Sequence, residues 1–216
     1  MAKKLYEESN IQNIAEAIRA KNGTNNTYKV SEMAGAISAI ESGGAGGNDE
    51  TANYLVSDRS GLTNYTFPEG ITKIEGYAFN GCSNLALTEL PNTITSIGNN
   101  AFASCTVLAI STLPDGLTEI STSAFSMCIG ITEMTIPANV QYVWTSAFSF
   151  CTNLASVTFM GTPEEIAENA FNYCNNLTTI NVPWQEGEVA GAPWGATMAT
   201  INYGYTPPIT FTVNGV

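Results

Sequence analysis

The sequence predicts a solenoid of 23-residue units, mostly short β-strands with helical turns, preceded by a small α-helical module at the N-terminus. Three observations predict it. The motif Ala-Phe-x-x-Cys begins at Ala78, Ala101, Ala124, Ala147 and Ala170, a constant step of 23 residues. Apolar residues between the motifs fall into columns that keep the same step. All five cysteines of the chain (Cys82, Cys105, Cys128, Cys151 and Cys174) sit in the motif and in one phase. A fixed period of this length marks a repeat architecture, in which each unit buries its apolar face only against its neighbours.

The first 41 residues are expected to form the separate helical module. Ser9 or Asn10 can cap a helix carrying Ile11, Ile14, Ala15 and Ile18 at helical spacing, and Gly23 is placed to end it. Ser31 can cap a second helix through Met33, Ile37 and Ile40. Two short helices have little core of their own, so the module is expected to pack on a partner. Residues 42–52, with Ser42-Gly43-Gly44-Ala45-Gly46-Gly47, read as a flexible linker.

The solenoid is expected over residues 53–185. One column holds Leu62, Leu85, Leu108, Ile131, Leu154 and Leu177, and a second holds Phe67, Leu90, Leu113, Ile136, Phe159 and Val182. Pro68, Pro91, Pro114, Pro137 and Pro183 follow the second column; Met160 is the exception, and a local irregularity is expected there. Ile71, Ile94, Leu117, Val140 and Pro163 make a third column, and Ile74, Ile97, Ile120, Val143 and Ile166 a fourth. The stretch before each proline should be a strand closed by that proline, which has no N–H to donate onward. The stretch after it should be a second short extended piece, and Ala-Phe-x-x-Cys a tight helical turn.

This unit, with "LPNTITSIGNNAFASCTVL" and "IPANVQYVWTSAFSFCTNL" as examples, resembles the BspA-like leucine-rich repeat family over about 125 residues. Thr88 and Ser111 depart from it, because Leu87 and Ile110 stand one position before the family's strand isoleucine, leaving the local strand phase open. After Pro183 the period stops. Residues 186–216, with Trp194, Tyr203, Tyr205 and Phe211 among glycines, are expected to cap the last coil, and Ile209–Val213 reads as a terminal strand.

Charge and composition exclude several functions. All seven basic residues lie in the first 73 positions, whereas residues 74–216 carry ten acids and no Lys, Arg or His. Nucleic acid is therefore not an expected partner. No apolar run approaches the roughly 18 to 20 residues of a membrane helix, and the residues after Met1 show no apolar signal core, so no membrane or export signal is read in the sequence. Without histidine the Ser-His and Cys-His nucleophile systems are absent. The cysteine column predicts buried reduced thiols, since parallel side chains about 4.8 Å apart do not point at one another as a disulfide requires. A straight row of sulfurs does not make a zinc tetrahedron either. Glu164, Glu165 and Glu168 read as a solvated acidic turn. The expectation is a protein without catalytic residues, metal or cofactor.

Candidate binding residues are those that vary against the constant frame. The position before each cysteine runs Gly81, Ser104, Met127, Phe150, Tyr173, and Tyr142 and Trp144 flank the inward Val143. Met127, Tyr142, Trp144, Phe150 and Tyr173 together suit a protein or glycan partner. The same rings could instead pack under the cap or join two copies of the chain.

The segment "ESNIQNIAEAIRAKNGTNNTYKVSEMAGAISAI" resembles N-terminal segments of phage tail and baseplate-associated proteins, through Ile14–Arg19, Lys21-Asn22-Gly23 and Ser31-Glu32-Met33. The two resemblances together imply a virion tail protein assembled in the host cytoplasm. Its N-terminal module would join other virion proteins, and its repeats would contact a host-surface protein or glycan. The alternative is a bacterial leucine-rich repeat protein for protein–protein contact or adhesion at the cell surface.

Overall fold

The computed structural model describes residues 61–67 and 69–207. The expected helical module, the glycine linker, the solenoid's first residues up to 60, Pro68 and the strand at 209–213 lie outside the described residues. The described chain forms a parallel β-solenoid of about six turns, with strands β1 (Lys73–Ile74), β2 (Ser96–Ile97), β3 (Glu119–Ile120), β4 (Glu133–Ile136), β5 (Tyr142–Val143), β6 (Ser156–Phe159), β7 (Glu165–Ile166), β8 (Thr179–Asn181) and β9 (Thr200–Asn202).

Each coil has three sides. The first is the stretch before the proline, which from β4 onward builds a four-stranded parallel sheet in the order β4-β6-β8-β9. At its end a proline carbonyl closes a corner turn, as Pro91 O accepts from Ile94 N (3.1 Å), Pro114 O from Leu117 N (3.1 Å) and Pro137 O from Val140 N (3.2 Å). Proline suits the start of such a turn because its φ is preset. The second side carries β1-β2 and, separately, β3-β5-β7. Lys73 pairs with Ser96, and Glu119 with Tyr142 and then Glu165, so the 23-residue step is the structural register. The break between β2 and β3 is spanned by the buried Ser121 hydroxyl, which donates to the Ile97 carbonyl at 2.6 Å.

The third side corrects the expected helical turn, and no α-helix occurs among the described residues. Ala-Phe-x-x-Cys is a run of three β-turns. In the third coil Ala124 N, Ser126 N and Cys128 N each bond the carbonyl three residues back, on Ser121, Ser123 and Phe125. The alternate amides of Ser123, Phe125 and Met127 turn outward along the axis, to Thr145, Ala147 and Ser149 of the next coil. A helix would spend every N–H within its own segment, whereas this arrangement ties each coil to the next. In this coil the residues before the Ala and before the Cys, Ser123 and Met127, take the left-handed backbone, with φ of 54° and 60°.

The predicted columns form the core. Ile74, Ile97, Ile120, Val143 and Ile166 are buried, as are Leu85, Leu108, Ile131, Leu154 and Leu177. The motif phenylalanines stack along the axis, with ring centroids 5.1 to 5.5 Å apart from Phe79 through Phe102, Phe125 and Phe148 to Phe171. All five cysteines are free and buried. Cys105, Cys128, Cys151 and Cys174 each donate a thiol hydrogen bond to the phenylalanine carbonyl of the preceding coil, at 3.0 to 3.1 Å.

The phase change at Thr88 and Ser111 is real. Leu87 and Ile110 are buried while Thr88 is exposed, and among the described residues the first side carries no strand before β4, only a bridge from Thr112 to Thr135. At Met160 the irregularity strengthens the ladder, since its N–H reaches the Ile136 carbonyl at 2.9 Å, a bond proline could not make. Beyond Pro183 the sequence period stops but the backbone ladder does not. The Trp194 carbonyl accepts from Phe171 N (3.0 Å), and β9 adds to β8 with Ile180 opposite Ile201. Trp184 and Trp194 are buried against Phe159 at the end of the core.

Candidate binding surfaces

The residue before each cysteine is held by the turn ladder with a left-handed backbone, a conformation that glycine adopts freely and bulky side chains avoid. Gly81 fills it in the first described coil, followed by Ser104 (φ 63°), Met127 (60°), Phe150 (61°) and Tyr173 (60°). A left-handed residue between inward neighbours throws its side chain off the coil. Met127, Phe150 and Tyr173 are accordingly 46%, 44% and 53% exposed. They form a row along the axis: Ser104 Oγ donates to Met127 Sδ at 3.6 Å, and the rings of Phe150 and Tyr173 stack at 4.4 Å. These rings lie outside the core, and among the described residues neither makes a ring contact with the C-terminal turn, where Trp184 packs on Phe159 and Trp194. Tyr77, also left-handed (φ 62°) and exposed, is a further displayed ring that the sequence pattern did not single out.

Tyr142 and Trp144 occupy a different side of the coil. Val143 between them is buried in β5, so both point away from the core on the pleat, and their rings stack at 5.3 Å with planes 7° apart. Each polar tip is held by a carboxylate from a neighbouring coil. Trp144 Nε1 donates to Glu119 Oε2 at 2.9 Å, and the Tyr142 hydroxyl donates to Glu164. That hydrogen bond, with the carboxylate charge behind it, raises the Tyr142 phenol above its ordinary value. Glu164 is exposed, as expected of an acidic turn, but it also orients Tyr142. Glu119 was not apparent as a site residue, although the 23-residue step from Glu119 to Tyr142 to Glu165 places them side by side.

The five candidates therefore divide into a turn-ladder row (Met127, Phe150, Tyr173) and a strand-face plate (Tyr142, Trp144). No ring contact joins the two groups among the described residues. The thiols contribute to neither surface; burial pushes Cys128 well above the ordinary thiol range and keeps it an inert core group.

Comparison with known proteins agrees with this geometry. Residues 50–178 match the family model described as BspA type leucine rich repeat region, in six copies. No curated protein matches. Among solved structures, a leucine rich cell surface protein from Faecalibacterium prausnitzii is similar at 28% identity and a TM-score of 0.55, covering 58% of this chain and 33% of that one. A leucine rich repeat protein of T. pallidum is similar at 26% identity and a TM-score of 0.52, covering 66% of this chain and 70% of its own. The chain thus spans about a third of the length of the F. prausnitzii protein.

Proposed function

The chain belongs to the BspA-type leucine-rich repeat family, and from that premise we propose that it is a non-enzymatic bacterial repeat protein acting in protein–protein contact or adhesion at the cell surface. The observation that carries this reading is the row of Met127, Phe150 and Tyr173. Bulky residues at left-handed positions cost of order 1 kcal/mol each, and such strain is kept where a displayed side chain has a task. Gly81, at the equivalent position, is the unstrained solution. The cell-surface description of the F. prausnitzii relative supports the same placement. A virion-tail role has support only in the resemblance at residues 8–40, so we carry the surface-adhesion reading.

The test is the full chain, labelled, binding to bacterial and epithelial cells, with Phe150→Gly and Tyr173→Gly as variants. Relief of backbone strain and loss of ring stacking oppose each other, so unfolding free energy should change by less than about 1 kcal/mol. Binding should fall by about fivefold or more. Unchanged binding with unchanged stability would remove the row from the function.

A further inference from the structure

We propose that the stacked Tyr142–Trp144 plate docks a cationic side chain, arginine or lysine, on a basic segment of a partner protein. The inference rests on the reading of the solenoid as a binding scaffold and names the partner chemistry of its strand face.

Tyr142 and Trp144 stack on each other over the β3-β5-β7 sheet, so their facing sides cover one another and each ring, partly buried, has its outer face for a ligand. A cation over the face of a Trp or Tyr ring is attracted by the ring quadrupole. Each ring here donates its polar hydrogen to a carboxylate, Trp144 to Glu119 and Tyr142 to Glu164. Donation of an N–H or O–H to an anion pushes electron density back into the ring and makes its face more attractive to a cation. Glu165, opposite Tyr142 in the ladder, adds a third carboxylate at the rim. Ser121 and Ala167 take the positions equivalent to Trp144 in the coils before and after, and neither carries a large side chain.

Charge complementarity selects the occupant. Residues 74–216 hold ten acids and no Lys, Arg or His, so this rim has no basic residue of its own coils to neutralise it. The one described lysine, Lys73, stands two coils before Glu119 in the same column and pairs with Glu75 at 2.9 Å. A neutral sugar would stack on the rings but leave the carboxylates uncompensated. A guanidinium satisfies both, with its plane on the outer face of one ring and its N–H fork on a neighbouring carboxylate.

The experiment titrates the full chain at low salt with a capped arginine-rich peptide, with the same peptide carrying citrulline in place of arginine, and with a neutral oligosaccharide, chitohexaose. The arginine peptide should bind saturably and the citrulline peptide should not. Trp144→Leu should weaken binding by about tenfold. The double variant Glu119→Gln/Glu164→Gln, which keeps both rings, should weaken it at least about fivefold. Glu133→Gln, an exposed acid on the four-stranded sheet, should leave it within about twofold. Equal losses for Trp144→Leu and Glu133→Gln would mean general acidic attraction and would overturn the proposal, as would tighter binding of chitohexaose than of the arginine peptide. Failure here with the Phe150→Gly adhesion loss intact would remove the plate while leaving the scaffold reading in place.

Discussion

At the scale of single residues, one amino acid serves two demands in several places. The motif cysteines are small enough for the core, and Cys105, Cys128, Cys151 and Cys174 also hydrogen-bond the phenylalanine carbonyl of the coil before, so a buried thiol acts as a weak inter-coil donor. Ser121 does the same for the Ile97 carbonyl where the second-side sheet is interrupted. Tyr142 offers the most direct test. Its hydrogen bond to Glu164 and the adjacent charge hold the phenol proton to higher pH in the folded chain than in the unfolded one. The folded state therefore binds more protons above the ordinary tyrosine range. Whatever stability this contributes is present below the unfolded pKa and is lost as pH rises through the folded one. In an ultraviolet titration, the difference between wild type and Tyr142→Phe should show a phenolate appearing above the ordinary value, and Glu164→Gln should bring it back down. An unshifted difference curve would show that the hydrogen bond does not form in solution.

At the scale of elements, the turn ladder is what holds neighbouring coils at a fixed spacing, because from Ala78 to Cys151 the amides of the Phe and of the residue before the Cys in each motif cross to the next coil. Its left-handed positions then decide which side chains are displayed. Close approach is equally specific on the far corner. A Cβ placed on Gly161 would meet the Ala138 carbonyl and backbone, so Gly161→Ala must separate two coils where Met160 N bonds Ile136 O. The variant should lose about 2–3 kcal/mol in denaturant unfolding, whereas Gly187→Ala, with open space around its Cβ, should lose only what its left-handed backbone imposes, about 1 kcal/mol. Equal losses at the two glycines would contradict the close approach. Of the expected elements, the two extended stretches were legible from apolar spacing and proline, because those signals are local. The turn run was not, since a helical turn and a chain of β-turns share the same inward Ala, Phe and Cys. What separates them is where alternate amides point.

At the scale of the whole molecule, stability should be close to a sum over coils and the contacts between neighbours. Deleting residues 147–169, one whole period, joins Ser146 to Ala170 and brings β4 beside β8 in register. The shortened chain should fold with unchanged far-ultraviolet circular dichroism per residue and a lower unfolding midpoint. Deleting residues 147–166 breaks the register and should abolish the cooperative transition. Equal behaviour of the two deletions would argue against a register-bound solenoid. The sequence alone determined the period, the buried columns, the reduced cysteines and the solenoid architecture, because a residue repeated at every coil meets its own copies wherever the coil is drawn. Tertiary structure alone decided three further things. It set the left-handed backbone under Met127, Phe150 and Tyr173, continued the ladder past Pro183 through Trp194 and β9, and placed Glu119 and Glu164 on the tips of Trp144 and Tyr142. Each depends on contacts between different coils, or on backbone hydrogen bonds that no side-chain pattern encodes.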